Sequence, residues 1–197
     1  MKLLVATHNR GKLVEYQQMF GNLPLELVTL NEVGIPDDVE ETGTTFAENA
    51  RLKAIAYAQH SGLLTLADDS GLEVDALGGE PGVYSKRYAG EGKSDAERIV
   101  FLLDKLRTVP QGKRSARFRC AIAIASPDGK LFETDGTCEG EIIFAPRGTH
   151  GFGYDPIFYF PRRGVTMAEL PPEEKNRVSH RAQAAMHAKT ILEKIVP

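Results

Sequence analysis

A capped helix between two short apolar runs is the feature that most constrains how this chain folds. The runs KLLVA at residues 2–6 and LLTLA at residues 63–67 have the length and apolar character of buried strands. Between them, TTFAENARLKAIAYAQHSG predicts a helix, because Thr45 and Glu48 have the spacing of a capping box and Gly62 suits a C-terminal cap. A strand, a helix and a strand in this order predict an α/β fold.

The rest of the chain extends this pattern and then changes it. A second strand and helix fit between the first run and the capped helix, and SDAERIVFLLDKLRTV predicts another capped helix. Residues 117–144 then predict an antiparallel meander, with turns at Asp128-Gly129 and Asp135-Gly136. A long helix closes the chain. We therefore expect an α/β fold with a mixed β-sheet flanked by helices.

Length, charge and cysteine content narrow the class of protein. With 197 residues the chain suits a single domain, residues 1–197, in one piece or with two lobes. A formal net charge of −3 gives no basic field of the kind that binds a nucleic acid polymer. No stretch approaches the ~20 apolar residues of a membrane span, and the start of the chain is too polar for a signal peptide. We expect a cytoplasmic protein without a membrane partner, in which Cys120 and Cys138 are reduced, half-buried thiols.

Two pairs of adjacent carboxylates are candidate metal ligands. Asp68 and Asp69 follow an apolar run directly, where a parallel sheet presents the carboxyl ends of its strands to ligands. Neighbouring strand residues face opposite ways, so one acid is expected to face a site and the other to support the structure. Glu40 and Glu41 lie near another loop end, and oxygen ligands of this kind suit Mg²⁺. The alternatives are a following turn capped by Asp69 or Ser70 and, for Glu40 and Glu41, a solvated surface pair.

Two loops and a helix start carry candidate substrate contacts. In ATHNRGK, a strand leads through a polar turn into a helix, which directs backbone N–H groups toward an anion, although an ordinary βα turn has the same pattern. In GFGYDP, Phe152 or Tyr154 offers a ring for stacking on a base, or else belongs to the core. Lys175, His180 and Arg181 place three basic groups near the start of the last helix, which suits an anion or a base edge.

Taken in order, these blocks resemble the inosine triphosphate pyrophosphatase family over nearly the whole chain. The turn ATHNRGK resembles the T-x-N-x-x-K turn of that family, and EETGTTFAENARLKA resembles its next block. LADDSGLEVDALGGEPGVYSKRYAG resembles its most characteristic block, and GFGYDPIF and EEKNRVSHRAQA resemble the closing ones. The chain departs from the bacterial pattern at His150, where a glycine is usual, and at Lys86, where a small residue is common.

The resemblance implies an activity and an architecture. Members of the family hydrolyse ITP, dITP and XTP to the monophosphate and pyrophosphate, which clears deaminated purines from nucleotide pools. They depend on Mg²⁺ and are typically homodimers. Their fold is an elongated mixed sheet flanked by helices, with two lobes around a central active-site cleft. A Maf-like pyrophosphatase of different base preference and a non-catalytic nucleotide-binding module are the alternatives.

The resemblance also implies a role for each matching residue. Asp69 is expected to be the catalytic general base and a metal ligand, with Glu41, or alternatively Glu40, completing the metal site. The expected phosphate contacts are Thr7, His8, Asn9, Arg10, Gly11, Lys12 and Lys53, and Ser70 is a further substrate contact. The expected base contacts are Phe152, Gly153, Tyr154, Asp155, Lys175, His180 and Arg181.

Overall fold

The structure is a computed structural model that describes residues 1–195. Within that range, seven strands form one mixed sheet in the order β2-β1-β3-β4-β5-β6-β7. The strands are β1 (Lys2–Val5), β2 (Glu26–Thr29), β3 (Leu64–Val74), β4 (Ser115–Ala125), β5 (Leu131–Ile142), β6 (Phe158–Phe160) and β7 (Val165–Thr166). The predicted α/β fold with a mixed sheet is confirmed.

Five α-helices flank the strands within the same range, and their ends follow the sequence signals. They are α1 (Arg10–Phe20), α2 (Phe46–Ser61), α3 (Asp95–Lys105), α4 (Pro172–Val178) and α5 (His180–Ile195). The capping box of Thr45 and Glu48 begins α2, and Gly62, with a left-handed φ of 67°, ends it. Both capped helices therefore lie where the sequence predicts them.

The strand that carries the two aspartates is longer than predicted. We expected Asp68 and Asp69 at its carboxyl end, but β3 continues to Val74, so this prediction is wrong. The reason is the alternation after the acids, where Leu72 and Val74 are completely buried and extend the strand. The parallel partner β1 nevertheless ends at a residue paired with Leu66, so the two acids lie just beyond the end of β1.

One of the two predicted turns of the meander is confirmed. Asp128 and Gly129 form the turn between β4 and β5, with Gly129 in a left-handed conformation of φ 91°. The second predicted turn, at Asp135-Gly136, is wrong because β5 runs straight through it. A Cβ atom at Gly136 would lie 2.2 Å from the backbone oxygen of His180, so this glycine allows the close approach of α5.

Contacts divide the chain into two compact units, each with its own apolar core. Unit 1 comprises residues 1–69, 120–136 and 180–197, and unit 2 comprises residues 70–119 and 137–179. The core of unit 1 includes Cys120 and that of unit 2 includes Cys138. Both cysteines are free thiols, as predicted, but they are buried and not half-buried, because each packs into an apolar core.

Replacing Gly136 by alanine is expected to destabilise the protein by about 1–3 kcal/mol, because the added methyl group overlaps the backbone of α5. Denaturant unfolding measures the change in the free energy of unfolding. Asp135→Ala is the control, since its exposed side chain on the same strand lies next to the close approach but not in it. Equal stability of the two variants would contradict the proposed contact.

Candidate functional site

A buried ion-pair network surrounds Asp68 in unit 1. The Asp68 carboxylate is completely buried, and its Oδ2 atom lies 3.0 Å from Lys12 Nζ and 3.4 Å from Arg181 Nε. Arg181, also buried, donates a second charged hydrogen bond of 2.7 Å to Glu15. Burial by itself raises the pKa of Asp68, but the cations of Lys12 and Arg181 outweigh it and hold that pKa well below its usual range. Asp68 is therefore a permanent structural charge.

The turn before α1 sets the position of this network. Asn9 is the N-cap of α1, and its side chain accepts a 3.2 Å hydrogen bond from the backbone of Lys12. The Thr7 hydroxyl accepts from the backbone N–H of Asn9 at 3.1 Å. Three positions separate Lys12 from Glu15, which brings both side chains to one face of the helix. The cap thus fixes the helix face that reaches Asp68.

The remaining residues of this turn lie nearer the surface. His8 and Arg10 are exposed, and Gly11 is half-buried at the start of α1. The Nε2 atom of His8 lies 3.5 Å from a carboxylate oxygen of Asp38 in the loop before α2. The turn therefore connects the partly buried Lys12, which faces Asp68, to the exposed side chains of His8 and Arg10.

Asp69 faces a second cluster on the other side of β3. Its Oδ2 atom accepts a 3.0 Å hydrogen bond from the Asn49 side chain. Lys53 lies 4.0 Å from its other oxygen and donates to Glu41 at 2.5 Å and to the backbone oxygen of Asp68 at 2.8 Å. Burial raises the pKa of Asp69, and Lys53 offsets this only in part. The neighbouring aspartates therefore have opposite shifts in pKa, which separates a structural charge from a group suited to accept a proton.

The surroundings of Lys53 bear on the predicted metal site. Among residues 1–195, no three His, Cys, Asp or Glu side chains come together as a metal cluster. The Glu41 and Asp69 carboxylates do, however, face a common cation in Lys53, whereas Glu40 is exposed. Mg²⁺ commonly takes one or two protein carboxylates and completes its shell with water and substrate phosphates. The donor set of Glu41 and Asp69 fits that ion.

In unit 2, residues 151–155 form a tightly bonded segment, here called the aromatic loop. Asp155 accepts a 2.9 Å hydrogen bond from the backbone of Phe152 and a 2.6 Å charged hydrogen bond from Lys175, and this ion pair is buried. The Lys175 ammonium also lies 4.5 Å from the centre of the Phe152 ring. A Cβ atom at Gly151 would lie 2.1 Å from the Asp155 carboxylate, so the loop requires glycine there.

The other predicted substrate contacts have contrasting environments. Tyr154 is buried, and its hydroxyl donates to the backbone oxygen of Ser85 at 3.0 Å, which matches the alternative interpretation as a core aromatic. Ser70 is half-buried within β3, and His180 is buried at the first turn of α5. Arg181 follows His180 with its guanidinium directed at Glu15 and Asp68.

Sequence reasoning missed two residues of these clusters. Asn49 holds Asp69, and Glu15 holds Arg181. A signal existed for Asn49, because it lies on α2 beside the buried Ala50 and three residues after the buried Phe46. A polar residue within such an apolar stripe needs a hydrogen-bond partner. For Glu15, spacing alone does not distinguish a buried acid from an exposed one.

Replacing Asp68 by asparagine is expected to cost about 3–5 kcal/mol near neutral pH, because the buried Arg181 and the partly buried Lys12 lose their shared counter-charge. The depressed pKa means that the folded protein binds fewer protons than the unfolded chain below about pH 4. Wild-type stability therefore falls with pH there, by about 1.4 kcal/mol per pH unit from this group. The gap between wild type and variant should narrow accordingly in urea unfolding between pH 7 and 2.5.

Asp104→Asn is the control, since Asp104 is an exposed acid on α3. A gap between wild type and Asp68→Asn that stays constant down to pH 2.5 would contradict the assigned pKa direction.

Comparison with known proteins extends these observations. The sequence model described as the Ham1 family matches residues 3–191. The chain is 53% identical over 183 residues to the dITP/XTP pyrophosphatase of Geobacillus kaustophilus, covering 93% of this chain and 90% of that protein. It is 46% identical over 190 residues to the dITP/XTP pyrophosphatase of Bacillus subtilis, covering 96% of each.

Solved structures agree with the sequence comparison. A HAM1 protein from Coxiella burnetii superimposes with a TM-score of 0.90 at 45% identity, covering 98% of this chain and 99% of that one. The Ham1 protein of Staphylococcus aureus gives a TM-score of 0.87 at 44% identity, with the same coverage.

Proposed function

Because the chain belongs to the Ham1 family, we propose that it is a pyrophosphohydrolase of deaminated purine nucleoside triphosphates. Its substrates are ITP, dITP and XTP, and its products are the monophosphate and pyrophosphate. The observation that carries this proposal is the pair of adjacent aspartates with different partners, since Lys12 and Arg181 face Asp68, whereas Asn49 and Lys53 face Asp69. The relatives described as dITP/XTP pyrophosphatases support the substrate class.

We assign the general-base role to Asp69. Its carboxylate is largely buried, so its raised pKa makes it a stronger base than an ordinary aspartate, and Asn49 holds one of its oxygens in place. A water molecule that gives its proton to the Asp69 carboxylate becomes the nucleophile toward the phosphate chain. Lys53, beside Asp69, supplies positive charge against the negative charge that accumulates on the phosphate oxygens.

Mg²⁺ is the proposed cofactor, held by Glu41 and Asp69. When bound, the ion supplies neutralisation of phosphate charge and acidification of water. The support lies in the common orientation of both carboxylates toward the Lys53 ammonium, because oxygens that converge on one positive charge are placed to converge on another. The exposed Glu40 is the less suitable ligand.

The remaining assignments are those that the resemblance to the family implies. We assign the triphosphate to Thr7–Lys12 with Lys53, and Ser70 to a nearby substrate contact. We assign the base to Phe152–Asp155, with Lys175, His180 and Arg181. Arg181 carries donors only, which suits a 6-oxo group and opposes a 6-amino group.

We further propose a homodimer located in the cytoplasm, where nucleotide pools are found. Tyr84, Val100 and Phe101 of unit 2 are large apolar side chains with 57%, 68% and 40% exposure, which supports an interface on that unit. Within residues 1–195, no helix is both long and apolar enough to cross a membrane. Sedimentation equilibrium of the purified chain tests the oligomeric state.

Asp69→Asn is expected to reduce kcat by at least roughly 10²-fold while the protein stays folded, because the amide cannot accept the proton. Pyrophosphate release from ITP at saturating Mg²⁺ measures the loss, and circular dichroism checks the fold. Asp104→Asn makes the same chemical change on the exposed surface of α3 and should retain wild-type kcat. Wild-type turnover by Asp69→Asn would remove Asp69 from the mechanism.

The wild-type protein is expected to prefer ITP and XTP over ATP and GTP by at least ~10²-fold in kcat/KM, since mismatched donors and acceptors in a closed site are costly. Side-by-side assays of ITP, dITP, XTP, ATP and GTP with Mg²⁺ measure this preference. A preference for pyrimidine or other modified nucleotides would instead favour the Maf-like alternative. Nucleotide binding without pyrophosphate release would favour a non-catalytic module.

A further inference from the structure

We infer that Asp95 is a positioning residue that holds the aromatic loop in shape and thereby determines base selectivity. Asp95 is the first residue of α3 and belongs to none of the blocks that resemble a known motif. Its Oδ2 atom accepts a 2.7 Å hydrogen bond from the backbone N–H of Gly153, 58 positions along the chain. The inference rests on the proposed function, in which the loop contacts the base.

The Asp95 carboxylate is itself fixed. Arg98, one turn further along α3, donates to its Oδ1 atom at 2.5 Å. The same guanidinium also donates to the backbone oxygens of Lys86 at 2.8 Å and of Lys93 at 2.5 Å. Because two backbone oxygens hold Arg98, and Arg98 holds one oxygen of Asp95, the other oxygen of Asp95 has a defined position toward the loop. This is a chain of contacts from a helix to a loop, all within unit 2.

Gly153 is the position where such an anchor matters. Its backbone is left-handed, with a φ of 62°. Glycine adopts positive and negative φ about equally readily, so the residue type alone does not select this conformation. Asp155 accepts hydrogen bonds from the backbone of Phe152 and from Lys175, and the Tyr154 hydroxyl donates one to the backbone oxygen of Ser85. The contact with Asp95 fixes the residue between Phe152 and Tyr154, so it sets the orientation of the peptide groups that flank the Phe152 ring.

The chemistry of the contact explains how it acts on selectivity. A carboxylate that accepts from a backbone N–H forms a charge-assisted hydrogen bond, which is stronger than one between neutral groups. Displacing groups that bind a substrate by about 1 Å can cost on the order of 10²-fold in rate. Hypoxanthine and guanine differ only at position 2 of the base, so an enzyme can distinguish them only through base contacts of fixed position. If the loop that contacts the base adopts several conformations, this discrimination is lost first.

Asp95→Ala tests the inference by two readouts. Backbone amide hydrogen exchange at Phe152–Tyr154 should accelerate by roughly 10-fold, the effect of one lost hydrogen bond. The KM for ITP should rise by roughly 10-fold and the preference for ITP over GTP should fall by a similar factor, with kcat changed much less. Asp95→Asn retains an oxygen for Gly153 and should restore most of both properties.

Asp104→Ala is the matched control. Asp104 lies on the same helix and pairs with an arginine three residues on, Arg107, at 3.3 Å, but on the exposed surface. It should leave loop exchange and selectivity unchanged. Asp95→Ser provides a second variant if Asp95→Ala does not fold, since serine is tolerated in a first helical turn but is too short to replace the carboxylate.

Each outcome of these measurements either supports or overturns the inference about Asp95. Loop exchange and an ITP-to-GTP ratio that match wild type in Asp95→Ala or Asp95→Ser would overturn the inference. An equal loss of kcat for every nucleotide, with selectivity intact, would overturn it in favour of a general structural role. If wild-type protein hydrolyses none of the purine triphosphates, the proposed function fails, whereas the exchange comparison still decides whether Asp95 holds the loop.

Discussion

The structure of unit 1 depends on one completely buried carboxylate, that of Asp68. A lone ion at this depth would carry a large desolvation penalty, so the fold must supply cations that face it. Lys12 comes from α1 and Arg181 from α5, and each reaches the same oxygen of Asp68. These contacts fix both helices against the strand that carries the acids.

The neighbouring acid has the opposite environment because it belongs to the opposite face of the strand. The partners of Asp69 are the Asn49 amide and the Lys53 ammonium, which also pairs with Glu41. Burial has a larger effect on the pKa of Asp69 than these partners do, and it raises that pKa. Two identical side chains, one position apart, therefore differ in proton affinity through the partners that alternation gives them. The proposed general base therefore lies next to a carboxylate whose charge Lys12 and Arg181 already neutralise.

Local signals predicted the elements well, and long-range contacts account for the errors. The capping boxes of α2 and α3 and the turn at Gly129 depend on adjacent residues, and the structure has all three. Gly136 looked like a turn residue because its real constraint, the backbone of α5, lies more than forty positions away. The same holds for the site, where the contacts of Glu15 with Arg181 and of Asp95 with Gly153 are visible only once the chain is folded.

The two glycines of the aromatic loop bear on whether the conformational entropy of the loop is lost during folding or on ligand binding. A flexible segment that orders around its ligand loses entropy at binding, which weakens affinity. Here Gly151 and Gly153 are already held in left-handed conformations by contacts within the protein, so that loss occurs during folding. Rigid loops tolerate few ligand shapes. In the proposed base site, a loop ordered in this way has little freedom to adapt its shape to a different base.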